Sequence, residues 1–438
     1  MWHQIATSLC LAQPFEGLSF VSASPSPVAL FVAFLDQPGN VNVFQQLPPA
    51  GVWSGSMPGA GSPPVQLRAP AGITFTSIAG IPNYLIALGS DGNLYASVFS
   101  QTGTAPQGSD WSTFTAFPLL DNVINAEGTV PINDFCAVQL LNALVIVAAF
   151  NAQGVAGFYS YNLSLAGSPT NLPQAIRNNA AFWNPLGPQE NAIGVLGAFA
   201  PSLAVAYQTW TPTIVFVGIP PYPPENPAPL PTSWTSSDGV NWSIGNLSQV
   251  LTAYQPGLAN YMPTSMLLTL GNPNSTFQAI VLNSGTPMLC YSGDGSHWAY
   301  YGNLPPNNPA QGTQYISNPP NINTLASGFG NSNNLQVVGL GSDLYYPANS
   351  PFLIWQDTMG NWYFFPYDPS NDRYLSLVNG FNEPALFPTD VAMGTGWCDQ
   401  GPALQVAYLG NDNNVYVTWQ DPFGGWHWYP GLQGAGLP

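Results

Sequence analysis

An all-β fold built from seven copies of a four-stranded antiparallel unit is what this sequence predicts, and three observations predict it. The same pattern of apolar strand, turn, strand, turn and aromatic strand recurs along the chain. A tryptophan opens the aromatic strand of every copy: Trp53, Trp111, Trp183, Trp242, Trp298, Trp362 and Trp426. Gly and Pro, 44 and 46 of them in 438 residues, interrupt the chain too often for long helical windows. One such meander cannot bury both of its faces alone, whereas copies stacked side by side can. Repetition at about 55–70 residues without helical crossovers points to radial stacking, a seven-bladed β-propeller of four-stranded antiparallel blades.

The last copy is the clearest. Leu404–Leu409 is an apolar strand, Gly410–Asn414 a turn, Val415–Trp419 a second strand, and Trp426–Tyr429 follows the turn Asp421–Gly425. Asn, Asp and Gly supply the backbone angles that tight hairpins need. Working back, the sixth copy holds Asn334–Leu340 and the run from Phe352 to Trp362, and the fifth Phe277–Leu282, Met288–Ser292 and Trp298–Tyr301. The fourth reads as Leu203–Tyr207, Ile214–Gly218 and Trp242, with the Pro-rich Pro221–Pro231 as an inserted surface loop. The third comprises Leu144–Phe150, Val155–Tyr161 and Trp183; the second Tyr84–Leu88, Leu94–Phe99 and Trp111; the first Val28–Phe34, Val41–Phe44 and Trp53. Alternating segments such as Ile73–Ala79 and Asp390–Trp397 precede each copy and complete four strands. Residues 14–438 therefore read as one domain, preceded by a segment 1–13. Within that segment Trp2-His3-Gln4-Ile5 fits a ring-closing strand and equally an ordered tail over an edge.

The charge inventory narrows the partners. Three basic residues (Arg68, Arg177 and Arg373) stand against twenty acidic ones, a net charge of −17. Counterion release at a nucleic-acid backbone needs clustered Lys or Arg, and anionic membranes attract the same groups, so neither is an expected partner. Fourteen Trp, 20 Tyr and 23 Phe exclude a disordered chain. The longest apolar run, Leu140–Phe150, is too short to cross a bilayer and reads as a buried strand. No Sec-type leader is visible at the start, so the expected extracellular or cell-surface location goes with either a mature, already processed sequence or unconventional export, with cytoplasmic storage as the alternative. Scarcity of tryptic sites suits an exposed life. Cys10, Cys136, Cys290 and Cys398 match no zinc spacing and read as buried thiols, with a Cys10–Cys398 bridge as the alternative. Single-acid turns at Ser90–Asn93 and Gly410–Asn414 read as turns rather than calcium loops. No metal and no cofactor are expected. Sequons at Asn162, Asn241, Asn246 and Asn274 gain meaning only on a eukaryotic secretory route.

Two segments, Ser236–Trp242 and Ser292–Trp298, share the pattern S-x-D-G-x-x-W. They resemble the Asp-box hairpin of sialidases, sortilin-like receptors and several propeller lectins, a structural turn lying away from the active centre in those families. The closing units, with GNDNNVYVTWQDPFGGWHW, resemble the repeats of bacterial and fungal propeller lectins of the fucose-binding and tectonin-like groups. That resemblance spans most of the chain as a repeat and is crisp in the second, sixth and seventh copies. It implies a non-enzymatic, multivalent lectin that holds neutral sugars in shallow pockets between blades. An aromatic face would stack on the pyranose while uncharged or acidic groups bond its hydroxyls. The positions it singles out are Trp355, Gln356, Asp357 and Tyr345 in the sixth unit, and Trp419, Gln420, Asp421 and Tyr416 in the seventh; Trp426 and Trp428 come next.

An enzyme reading fits these residues poorly. Sialidase chemistry would use an arginine trio, hence every basic residue in the chain, and the three histidines (His3, His297, His427) lie in no triad or metal motif. The runner-up belongs to another class: a structural or surface-assembly protein that uses the repeat as a protein–protein platform, with homo-oligomers a natural outcome.

Overall fold

The computed structural model describes the residues of 34 strands and one helix. It also describes residues 39–40, 68–74, 82–83, 90–93, 99–100, 110–114, 117, 131, 183, 186, 230–231, 237–242, 245–246, 293–297 and 304. These residues form seven antiparallel sheets of four or five strands and two separate two-stranded hairpins. The seven sheets follow one another along the chain, and in each the four main strands lie in space in the order of the sequence; a fifth strand joins two of them, Val65–Leu67 beside Val41–Leu47 in the first and His3–Gln4 beside Val415–Gln420 in the seventh. The all-β class and the four-stranded sheet as repeating unit are therefore as expected.

The second strand of each sheet explains the continuous apolar runs. Tyr84–Gly89 is buried at every position, and Ile214–Gly218 is likewise. A strand covered on both faces needs no polar alternation, so it reads as an unbroken Val, Ile, Leu and Ala stretch. The fourth strands are short, and each begins at or just beside the tryptophan that marks its copy: Val52–Trp53, Asn184–Pro185, Ser243–Ile244, Trp298–Asn303, Trp362–Phe365 and Trp426–Trp428. In the second sheet Trp111 makes a single bridge to Phe99 instead.

The chain divides into two compact units. One holds residues 1–90, 95–115 and 308–438, hence the sixth, seventh and first sheets and most of the second. In it the first strands stand in series: Asn321–Phe329 against Pro388–Cys398, that strand against Leu18–Ser22, and Leu18–Ser22 against Phe75–Ile81. Apolar clusters fill the gaps between sheets. Phe31, Phe99 and Trp111 form one, with ring centroids 4.8–5.3 Å apart. The other unit, residues 91–94 and 116–307, holds the third, fourth and fifth sheets. There Ile132–Leu140 packs on Ala204–Gln208, which packs on Ser265–Gly271.

Two features differ from the sequence reading. In the fourth copy Ala204–Gln208 is the first strand and Thr213–Gly218 the second; the third, Thr232–Ser236, lies beyond the Pro-rich insertion. The alternation of Leu203–Tyr207 looked like a second strand because the insertion separates the true third strand from its partner. The helix Leu247–Tyr254 was not anticipated either. The Asn246 carbonyl accepts the Val250 amide at 3.1 Å at its start, and Leu247, Leu251 and Tyr254 are spaced along one face, with both leucines fully buried.

At the start of the chain, His3 and Gln4 pair antiparallel with Val417 and Tyr416 of the seventh sheet. Cys136 and Cys290 are buried and in no disulfide, and burial pushes the Cys290 thiol up to about 12. Cys10 and the side chain of Cys398 lie outside the described residues. Among the described residues, no helix is long and apolar enough to cross a membrane.

Candidate ligand-binding site

The W-Q dipeptides at the ends of the third strands are the natural starting point. In the seventh sheet Gln405 lies opposite Trp419 and Leu404 opposite Gln420. Directly opposed residues share a face, so Trp419 sits on the Gln405 side and Gln420 on the other. Gln405 Nε2 donates to Gln46 Oε1 of the first sheet at 2.9 Å, so the Trp419 side is turned toward the first sheet. Gln420 Oε1 accepts from Gln336 Nε2 of the sixth sheet. The dipeptide thus splits across the sheet: its tryptophan packs forward and its glutamine bonds backward.

Trp419 is 1% exposed and packs on Ala403, so it turns no ring face to solvent. Gln356 is 3% exposed and lies opposite Trp362, itself fully buried. Gln420 is half-buried. Trp355 and Tyr416 occupy strands, opposite Gln336 and Tyr408, while their side chains lie outside the described set. Asp357, Asp421 and Tyr345 fall outside the described residues altogether.

The two S-x-D-G-x-x-W hairpins join third to fourth strands and share one bonding scheme. In the first, Asp238 Oδ1 accepts the Ser236 hydroxyl at 2.9 Å and the amides of Val240 and Asn241 at 2.8 Å each. Asp238 Oδ2 accepts Asn241 Nδ2 at 2.7 Å. In the second, Asp294 accepts the Ser292 hydroxyl and the amides of Ser296 and His297, and pairs with His297 Nδ1 at 2.7 Å. Partial burial alone would raise the Asp238 carboxyl, but these donors outweigh it and hold it down to about 2. Asp294 lies well below the usual carboxylate range for the same reasons.

Each hairpin docks on the preceding sheet. Asn162 Nδ2 donates to the Asp238 carbonyl, and the Trp242 indole N–H reaches the Ser160 hydroxyl at 3.0 Å. One sheet on, Thr235 and Ser296 share a hydroxyl bond of 3.2 Å at the equivalent place. Gly239 and Gly295, at φ 75° and 77°, sit where a side chain would strike Val145 and Val215. The carboxylates of these hairpins are thus committed to the turn. Three of the four sequon asparagines are engaged as well: Asn162 and Asn241 as above, and Asn246 by accepting the Trp298 amide at 2.6 Å. At the early S-D-G-N turn Asp91 likewise accepts the Asn93 amide at 3.1 Å.

The comparisons with known proteins are distant. No family model and no curated protein matches the chain. Among solved structures it is similar to YCF48 from Cyanidioschyzon merolae, at 10% identity over 97% of this chain and 99% of that one, TM-score 0.45. It is also similar to a fucose-specific lectin from Aleuria aurantia, at 9% identity over 94% and 93%, TM-score 0.41. A third is the polysaccharide lyase Uly1, at 8% identity over 78% and 77%, TM-score 0.46. The fold class stands on the sheets themselves, and the chemistry on the side chains.

Among the described residues, the large apolar side chains that remain exposed are Val240, Ile244, Tyr254 and Tyr291, all in the fourth and fifth sheets and the segments joining them. None was singled out from the sequence. The signal was present for Tyr254, since it ends a short Pro-free, Gly-free stretch of helical periodicity.

Proposed function

We propose that this protein is a non-enzymatic, multivalent carbohydrate-binding protein for neutral sugars, located outside the cell or on its surface. The observation that carries the reading is that polar recognition in this frame uses uncharged groups. Neighbouring sheets are tied by glutamine pairs, Gln405–Gln46 and Gln336–Gln420, in a chain with three basic residues. A scaffold with so few cations offers little to phosphate or sulfate and much to hydroxyls. In this reading the seven sheets are the blades of one ring. The sugar sites lie between late blades at Trp355, Asp357, Tyr345, Tyr416, Gln420 and Asp421, and several weak sites on a rigid frame gain avidity against a glycan-coated surface.

A glycan-array screen of the labelled protein tests this, with Trp355→Ala beside it. Selective binding to neutral glycans that weakens in the variant supports the lectin; a folded protein silent across the array sinks it. Trp419→Ala suits this purpose less, because removing a buried tryptophan costs stability of about 3–5 kcal/mol before it reports on binding.

A protein–protein platform is the second reading. Ile244, 56% exposed, lies on the edge strand Ser243–Ile244, where an apolar side chain and open backbone groups invite a second chain. Concentration-dependent assembly in light scattering, lost in Ile244→Lys and indifferent to sugars, would favour it.

A further inference from the structure

We infer that Tyr254, stacked on Tyr300, is a sugar-stacking platform on the fifth sheet, separate from the between-sheet positions at Trp355 and Trp419. The inference rests on the carbohydrate-binding reading and gives it a further site. The helix Leu247–Tyr254 turns Leu247, Val250 and Leu251 into the cluster formed with Met266, Phe277, Cys290 and Trp298. Tyr254 continues that apolar stripe one turn further, yet it is 62% exposed. The stripe has run past the sheet that covers it. Its ring lies over Tyr300, with centroids 5.1 Å apart and an interplanar angle of 21°, and the outer face stays open.

The platform is held from beneath. The Tyr300 hydroxyl donates to Asn303 Oδ1 at 2.9 Å. Bonds at the helix start fix its position: Asn246 donates its amide to the Ser296 carbonyl and accepts the Trp298 amide. A ring that is already positioned loses little freedom on binding, which favours a small ligand that gains little area. The exposed residues near it on the helix, Gln249, Thr252 and Ala253, carry no charge. An open aromatic face with an uncharged polar surround suits a neutral pyranose. Its C–H face would lie on Tyr254, and its hydroxyls would meet amide and hydroxyl groups at the rim. A cation–π ligand is a poorer match, because no carboxylate stands on the helix beside the ring.

The test is a glycan array probed with the intact protein, Tyr254→Phe and Tyr254→Ala. The strongest neutral glycan is then titrated as a free oligosaccharide into each protein. Tyr254→Phe keeps the π face and is expected to bind within about twofold of the unsubstituted protein. Tyr254→Ala is expected to lose one site from the measured stoichiometry, or to weaken that site about tenfold, with the protein still folded and its melting midpoint lowered only by the lost stacking on Tyr300. Unchanged binding by Tyr254→Ala overturns the platform while leaving the lectin reading in place. A loss in Tyr254→Phe equal to that in Tyr254→Ala overturns stacking as the mode. Binding confined to sulfated or sialylated glycans overturns the neutral ligand, and silence of the unsubstituted protein overturns both readings together.

Discussion

The carboxylate of Asp238 shows how much one side chain can organise here. Four donors converge on it within a single turn, from the Asn241 and Val240 backbone, the Asn241 amide and the Ser236 hydroxyl. Its folded-state value, near 2, lies below the ordinary 3.8, so the carboxylate adds stability that is complete above about pH 4 and lost as the pH falls through about 2. Asp238→Asn cannot ionise. Its melting midpoint is expected below that of the unsubstituted protein at pH 7, with the gap closing as the pH falls toward 2; a constant gap would refute the argument. Gly295 makes the steric counterpart. With φ at 77° and Val215 in the way, Gly295→Ala is expected to cost about 2–4 kcal/mol in chemical unfolding. A cost below about 0.5 kcal/mol would mean that the hairpin does not dock as described. The bonds inside each hairpin were legible in the sequence because every partner lies within seven residues. The docking partners were not, since Asn162 stands 76 residues from Asp238 and Thr235 stands 61 from Ser296.

Elements in this protein are joined by neutral bonds where many folds would use ion pairs. Gln46 and Gln405 are fully buried, and the bond between them spans 359 positions of sequence. Replacing one partner takes this buried bond from the other's amide, which costs about 1–3 kcal/mol, whereas replacing both with leucine leaves neither side of it unmatched. A double-mutant cycle of Gln405→Leu and Gln46→Leu is therefore expected to show a coupling of about 1 kcal/mol or more, and independent effects would contradict the inter-sheet bond. At this scale the sequence was legible wherever local pattern decides. Unbroken apolar runs gave the second strands, and the tryptophans marked the start of the fourth. It misled at Leu203–Tyr207, where a first strand carries the alternation of a second and an insertion hides the third. The W-Q pair misled differently. Side-chain period alone says that its two residues face opposite ways, but only the neighbouring sheets reveal that Trp419 packs and Gln420 bonds. The helix was readable from Asn246, Leu247, Leu251 and Tyr254, and the dominant strand pattern concealed it.

For the molecule as a whole, the problem set by a repeat of sheets is what to do with the two ends of the chain. The last sheet offers an edge: on the strand Val415–Gln420, residues 418–420 pair with the aromatic strand Trp426–Trp428, leaving Tyr416 and Val417 beyond its reach. His3 and Gln4 pair with those two residues, so the beginning of the chain finishes the sheet made by its end. Only two residues on each side take part, and a bond ladder that short is weak in isolation. Its effect is local: it gives backbone partners to a stretch of the strand Val415–Gln420 that the aromatic strand leaves open. A protein lacking residues 1–5 is accordingly expected to unfold at a lower temperature, with the loss concentrated at the fastening. In hydrogen exchange, the amides of Tyr416 and Val417 should lose protection while the buried strand Tyr84–Gly89 keeps its own. Protection at Tyr416 and Val417 equal to that of the full chain would show that the seventh sheet stands without the N-terminal strand. Uniform loss across all sheets would instead make the first residues part of a single cooperative core.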